Sequence, residues 1–124
     1  MSAHRIVGWL LDEAQRAELL QQFPPAYPNV VAHHVTLAVG AAAGGLPAPT
    51  TGEIVGRVDD GRGVEALVVR VDGGTERPGG GHYHITWSLG AGRTARESND
   101  AITALGWTPV ALGMPVLLAP ARLR

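Results

Sequence analysis

Two ten-residue stretches set the architecture: "VAHHVTLAVG", Val31–Gly40, and "GHYHITWSLG", Gly81–Gly90. Each holds His, one residue, Thr and an apolar residue, as His34-Val35-Thr36-Leu37 and His84-Ile85-Thr86-Trp87, and each ends at a glycine. In a strand, side chains alternate between faces, so a His and a Thr two apart share a face. The residue between them, Val35 or Ile85, anchors the opposite apolar face. Val30–Val39 thus predicts a strand with His34, Thr36 and Ala38 on one side and Val35, Leu37 and Val39 on the other. His82–Leu89 predicts a second, with His82, His84, Thr86 and Ser88 opposite Tyr83, Ile85, Trp87 and Leu89.

The flanking sequence supplies the remaining elements. Arg5–Leu11 is apolar and reads as a strand. Asp12 is an N-cap candidate, with Glu13 in the first turn of a helix over "EAQRAELLQQF", residues 13–23. That helix is expected to turn Ala14, Ala17, Leu20 and Phe23 inward, and "PPAYP" ends it because proline cannot continue a helix. "GAAAGGLPAPTTG" reads as a flexible loop. Glu53–Val58 and Val64–Val71 flank "DDGRG", a hairpin turn signal. "DGGTERPGGG" reads as a second loop. Ser98 is an N-cap candidate for a short helix over "NDAITAL", stopped by Gly106. Val116–Arg122 is the last strand, confined by Pro115 and Pro120 to an edge or its ends. The order β-α-β-β-β-β-α-β predicts one α+β domain over residues 1–124, an antiparallel sheet with two helices. No linker composition divides it.

Composition narrows the classes. A chain of 124 residues, 45% hydrophobic, has enough apolar side chain for a core and is not disordered in composition. Its formal net charge of −1 argues against coating nucleic acid through bulk charge, and leaves room for a pocket binding a single phosphate. With no cysteine, thiolate metal sites, disulfides and cysteine nucleophiles are excluded. The start shows no signal-peptide pattern and no apolar run approaches a membrane span, so a cytoplasmic, monomeric protein is expected.

Two imidazoles on a rigid platform suit acid–base chemistry. Their ordinary pKa, roughly 6.5, lets one be neutral while the other is charged near neutrality. The neutral ring takes a proton from a nucleophile and the charged ring gives one to a leaving group, with gains of ~10²–10⁴-fold. Thr36 and Thr86 can donate to phosphoryl oxygens between them. Such a site needs no metal and no cofactor.

The paired motifs "HVTL" and "HITW" resemble those of the two-histidine (2H) phosphoesterases, which carry two His-x-Thr/Ser-apolar tetrapeptides on strands of a pseudo-two-fold α+β fold with a central groove. "YPNVVAHHVTLAVG" and "HYHITWSLGAGRTARESNDAI" are similar to the cyclic phosphodiesterase-type domain of fungal and plant tRNA ligases and related RNA-repair-like proteins. The resemblance covers roughly residues 5–40 and 80–110. It implies metal-independent hydrolysis of a 2′,3′-cyclic phosphate, on an RNA 3′ end or a small cyclic nucleotide. It implies His34 and His84 as catalytic residues, Thr36 and Thr86 as phosphate ligands, and a 2′-phosphate product with His84 as base and His34 as acid. The chain is shorter than many members, which leaves the substrate open.

Other residues have blander readings beside sharper ones. By strand parity His33 points away from His34's face, unless a one-residue bulge swaps them. His82 lines the rim of the site, and His4 is terminal. Arg93 is either a solvated loop charge or a phosphate contact. Tyr83 has core parity, and Trp9, Trp87 and Trp107 read as core before base-stacking platforms. Two rival classes stand beside the enzyme. One is a small β-barrel binding metal through His82, His84 and either His33 or His34. The other is a module that binds RNA ends or nucleotides without turnover.

Overall fold

The hairpin at residues 59–64 is the most local part of the sheet. Asp60 accepts from the backbone N–H groups of Arg62 and Val64 at 2.7 and 2.9 Å, and Gly61 and Gly63 take positive φ. The turn closes β4, Thr50–Asp59, onto β5, Val64–Arg70. A computed structural model describes residues 5–40 and 43–123, apart from the side chains of residues 111 and 112. His4 lies outside the described residues. Before the hairpin come β1 (Ile6–Leu11), α1 (Glu13–Gln22), β2 (Asn29–Val30) and β3 (His34–Val39). After it come β6 (His84–Leu89), α2 (Glu97–Leu105) and β7 (Thr108–Arg122).

The seven strands form one antiparallel sheet in the order β2-β6-β5-β4-β7-β1-β3. The sheet curls, because β2 lies on β6 at one end while β3, four residues later, lies on β1 at the other. The chain is a single small α+β domain. Inside the curl lies a core of Trp9, Leu11, Val35, Ile54, Leu67, Val69, Tyr83, Ile85, Trp87, Val116 and Leu118, closed by Leu19 of α1. Outside it, Ala101 and Ile102 of α2 cover Val58, Val64, Ala66 and Val68.

Several expectations are corrected. Asp12 does cap α1, accepting from Gln15 N at 3.0 Å. The buried residue of α1, however, is Leu19, while Ala14 and Ala17 are exposed. The small Ala side chains lose the inward face to a Leu that buries more apolar area. The strand expected over Val30–Val39 is broken at Ala32, whose φ is +42°. Strand β4 begins at Thr50, inside the expected loop, which Trp9 pins by donating from Nε1 to the Ala48 carbonyl at 2.8 Å.

Strand β7 has 15 residues and runs through the sheet between β4 and β1, not at an edge. Proline is tolerated there because pairing is interrupted. Beside Pro115, β1 has already ended, and Gln15 of α1 stands in for a strand. Its amide donates to the Pro115 carbonyl and accepts from Leu117 N, both at 2.7 Å.

Ser98 is not the cap of α2 but lies inside it. The helix is started by Thr94 and Glu97, whose carboxylate accepts from Thr94 N at 2.7 Å, half of a capping box. Gly106 ends it at φ 68°, as expected.

Candidate functional site

Strand β6 presents His84 because its register on β5 pairs Val68 with His84 and Ala66 with Thr86. Both motif residues therefore stand on the outer face, the one α2 covers. The alternation fails one step later. A register shift between Glu65 and Ala66 makes Trp87 a bulge, so Ser88 pairs with Glu65 and Leu89 joins the outer cluster. Ser88 thus leaves the face it was expected to share with His84, and its hydroxyl donates to buried Glu65.

His34 reaches β6 through the segment before it. Asn29 pairs with Leu89 and Val30 with Ser88, and Val31 N and Ala32 N donate to the Trp87 and Thr86 carbonyls. Continued in the same register this ladder would reach position 34 across from position 84, but the chain leaves it first. At Ala32 the chain turns out of the ladder, held by Arg16, which donates to the Ala32 carbonyl at 2.7 Å. Strand β3 then pairs with β1, Leu10 opposite His34 and Gly8 opposite Thr36, while still packing against β6. A side chain at Gly8 would sit 2.0 Å from the Val35 carbonyl oxygen, so only glycine lets β3 lie this close.

The two imidazoles have different partners. His84 Nδ1–H donates to the His82 carbonyl at 2.8 Å. A carbonyl only accepts, so this bond fixes the proton on Nδ1 and leaves the lone pair of neutral His84 on Nε2. Burial pushes the His84 pKa below its ordinary value, and the positive charges of Arg77, His34 and His82 act in the same direction. The bond to the His82 carbonyl opposes them but does not prevail. His34 is half-buried, and burial followed by the neighbouring charge of His33 lowers its pKa as well.

His33 does not point away from His34. The break at Ala32 resets strand parity, and the two Nδ1 atoms lie 2.9 Å apart with the rings edge to face. The other expected residues fall as follows. Thr36 is half-buried, and its hydroxyl has no protein partner among the described residues. Thr86 is 7% exposed, and its hydroxyl bonds Ser98 Oγ at 2.8 Å and the Ala95 carbonyl at 3.4 Å. His82 bonds Thr75 Oγ1 at 3.0 Å and packs edge-on to Trp107, which lies over Gly56. Among the described residues no three His, Asp or Glu side chains are grouped as metal ligands, and the three-histidine cluster of the barrel reading does not form.

Arg93 is engaged elsewhere. Its guanidinium pairs with Asp60 and Glu97, each at 3.0 Å, and donates to the Arg62 carbonyl. It braces the β4–β5 turn against α2, beyond the end of β6 opposite to His84. Five residues of strand separate that end from His84, about 16 Å. The cation beside His84 is Arg77, in the "GGTERPGGG" segment. That segment is folded rather than open: Arg77 N donates to the Gly81 carbonyl, Tyr83 N to Thr75, and Glu76 bridges to His82. Arg77 donates from Nε to the Gly80 carbonyl and forms no ion pair among the described residues. Burial lowers its pKa. Gly81, at φ +76°, gives it room, since a Cβ there would meet the Arg77 guanidinium at 2.8 Å and the Asn99 amide at 2.6 Å. An arginine in the glycine-rich segment that leads into the motif strand was the available signal.

Two surface depressions, of about 420 and 410 Å³, lie over β4 and β7 and contain neither histidine. The first is lined mainly by backbone and apolar groups around Thr50 and Leu118, and the second holds the Glu53–Arg70 ion pair. Neither holds an imidazole, so the histidine face is the candidate site. No helix among the described residues is long and apolar enough to cross a membrane. Compared with known proteins, the chain matches no family model, no curated protein and no solved structure.

Proposed function

We propose that the protein is a metal-independent phosphodiesterase that opens a 2′,3′-cyclic phosphate, on an RNA 3′ end or a small nucleotide, to a 2′-phosphate. The reading is supported by one arrangement: β3 packs against β6 so that the charge of His34 acts on His84, whose bond to the His82 carbonyl leaves its lone pair on Nε2. The sequence resemblance to two-histidine phosphoesterases and their pseudo-two-fold groove points the same way.

In this mechanism His84 Nε2 takes a proton from water as the water oxygen bonds to phosphorus. The bond from phosphorus to the ribose 3′ oxygen breaks, and that oxygen takes the Nε2 proton of His34. His34 must be charged at that moment, although burial lowers its pKa in the free protein. An anionic phosphodiester beside it favours the charged form and offsets that shift. Thr36 donates to one non-bridging oxygen. Thr86, accepting from Ser98, turns its hydrogen from the Ala95 carbonyl, 3.4 Å away, to the other, and Arg77 supplies the positive charge facing the phosphate.

The test is single-turnover and steady-state kinetics on nucleoside 2′,3′-cyclic phosphates, in chelator, with the product position determined. His34→Ala and His84→Ala are each expected to lower kcat by at least ~10²-fold. Near wild-type turnover in either variant sinks the mechanism. Activity abolished by chelator and restored by a divalent ion overturns its metal independence. Binding of cyclic phosphates without turnover in the wild type would make the protein a binding module instead.

A further inference from the structure

We propose that His33 is a positioning residue: with His34 it forms a dyad that shares one proton between the two Nδ1 atoms and so keeps a proton on His34 Nε2. At 2.9 Å the two Nδ1 atoms are at hydrogen-bond distance, which requires one donor and one acceptor. Two imidazoles carrying a single positive charge hold three N–H protons on four nitrogens. The one lone pair lies inside the Nδ1···Nδ1 bond. Both Nε2 atoms are then protonated, whichever ring carries the charge.

His84 is built the opposite way. Its Nδ1 faces a carbonyl, so its neutral form is fixed with the lone pair outward. The backbone thus makes one ring a base, and the neighbouring ring makes the other an acid. The two consecutive histidines of "AHHV" have this use only because Ala32 leaves the strand, bringing His33 beside His34 rather than behind it.

A second proton on the dyad would set two N–H groups against each other and is disfavoured. The pair therefore titrates in two macroscopic steps, with the acid-competent form between them. The surrounding groups are few. Strand β6 contributes His84, and the 72–82 segment contributes Arg77 and His82, whose charges act on His84. Arg16 of α1 lies on the Ala32 and Val31 carbonyls. Strand β1 places apolar Leu10 opposite His34. No carboxylate among the described residues bonds either ring of the pair, so the partner of each imidazole is the other.

The service of this dyad as the general acid rests on the function proposed above, whereas its existence does not. The experiment has two arms on the full chain. In the first, ¹⁵N NMR follows each imidazole nitrogen through a pH titration. In wild type, His34 is expected to follow a two-step curve, because its proton is shared with a second ring. In His33→Ala, His34 is expected to titrate in one step. A single independent step for His34 that is the same in both proteins overturns the dyad. His33 is exposed, so its removal leaves the core intact.

In the second arm, kcat is measured against pH on a nucleoside 2′,3′-cyclic phosphate. His33→Ala is expected to lower kcat roughly 3–10-fold and move the alkaline limb to lower pH: the charge of His33 lowers the His34 pKa only in the doubly charged form, whereas in the acid-competent form neutral His33 accepts from His34 and holds its proton. His33→Asn, whose carbonyl still accepts from His34 Nδ1–H, is expected to recover part of the loss. Superimposed profiles for wild type and His33→Ala overturn the catalytic service of the dyad. Linked NMR titration with no turnover of any cyclic phosphate supports the dyad while refuting the function.

Discussion

Replacing Glu65 by Ala is expected to destabilise the protein far more than its polar character suggests. The carboxylate is fully buried and accepts three hydrogen bonds beside a further ion contact. Oε1 takes the Ala26 N–H at 2.8 Å and the Ser88 hydroxyl at 2.5 Å, and Oε2 takes Arg57 Nε at 2.8 Å, with a terminal nitrogen of Arg57 2.7 Å away. Removing it strands the buried Ser88 hydroxyl, at about 1–3 kcal/mol, and the part-buried Ala26 N–H, at less. Arg57 is 40% exposed and turns to water or to Asp59, so it adds little. With the emptied volume the loss is about 3–5 kcal/mol, a large share of the roughly 5–15 kcal/mol that holds a domain together. Urea unfolding monitored by tryptophan fluorescence measures it, and the melting temperature should fall by about 10–20 °C. Glu65→Gln keeps an acceptor for Ala26 and Ser88 but turns an amide N–H₂ toward Arg57, and should cost about half as much. The bond to Ala26 holds the chain just before the Asn29–Ala32 ladder, so turnover should fall with stability. A loss below about 1 kcal/mol in Glu65→Ala, with an unchanged denaturant slope, would refute this account of the carboxylate.

Two other substitutions separate the arginines. Arg77→Ala should lower kcat/KM for cyclic phosphates about 10–100-fold with little effect on stability, whereas Arg93→Ala should lower the melting temperature and leave kcat near wild type. The reverse pattern would return the phosphate contact to Arg93. Stability should also depend on pH through the buried histidines. His34 and His84 have folded-state pKa values below the ordinary 6.5, so the unfolded chain binds more protons below that pH. Their contribution is present in full above about pH 6.5 and is lost as pH falls through the folded-state values. His84→Gln should flatten this part of the stability curve, and an unchanged curve in urea unfolding across pH 5–7 would contradict the burial of His84.

Sequence alone determined what depends on near neighbours along the chain. Period-two alternation put His34 with Thr36 and His84 with Thr86, because neighbouring residues of one strand must point oppositely. The "DDGRG" turn, the Asp12 cap and the Gly106 stop were legible for the same reason, each being a bond between residues a few positions apart. Tertiary structure decided whatever depended on a distant partner. Proline in β7 read as an edge signal, yet the strand is central because Gln15, about a hundred residues away, fills the gap left by β1. Ser98 read as a cap, and its hydroxyl instead went to Thr86. Arg93 and Arg77 look alike in sequence, and only the approach of Asp60 and Glu97 to one of them separates the brace from the cation that forms no ion pair among the described residues. The bulge at Trp87 and the break at Ala32 shift strand parity by a single residue, and a slip that small reverses which face a side chain occupies. That is why the partnership of His33 with His34 is invisible in "AHHV": strand alternation places adjacent side chains apart, and only the turn imposed where Ala32 leaves β6 brings the two rings together.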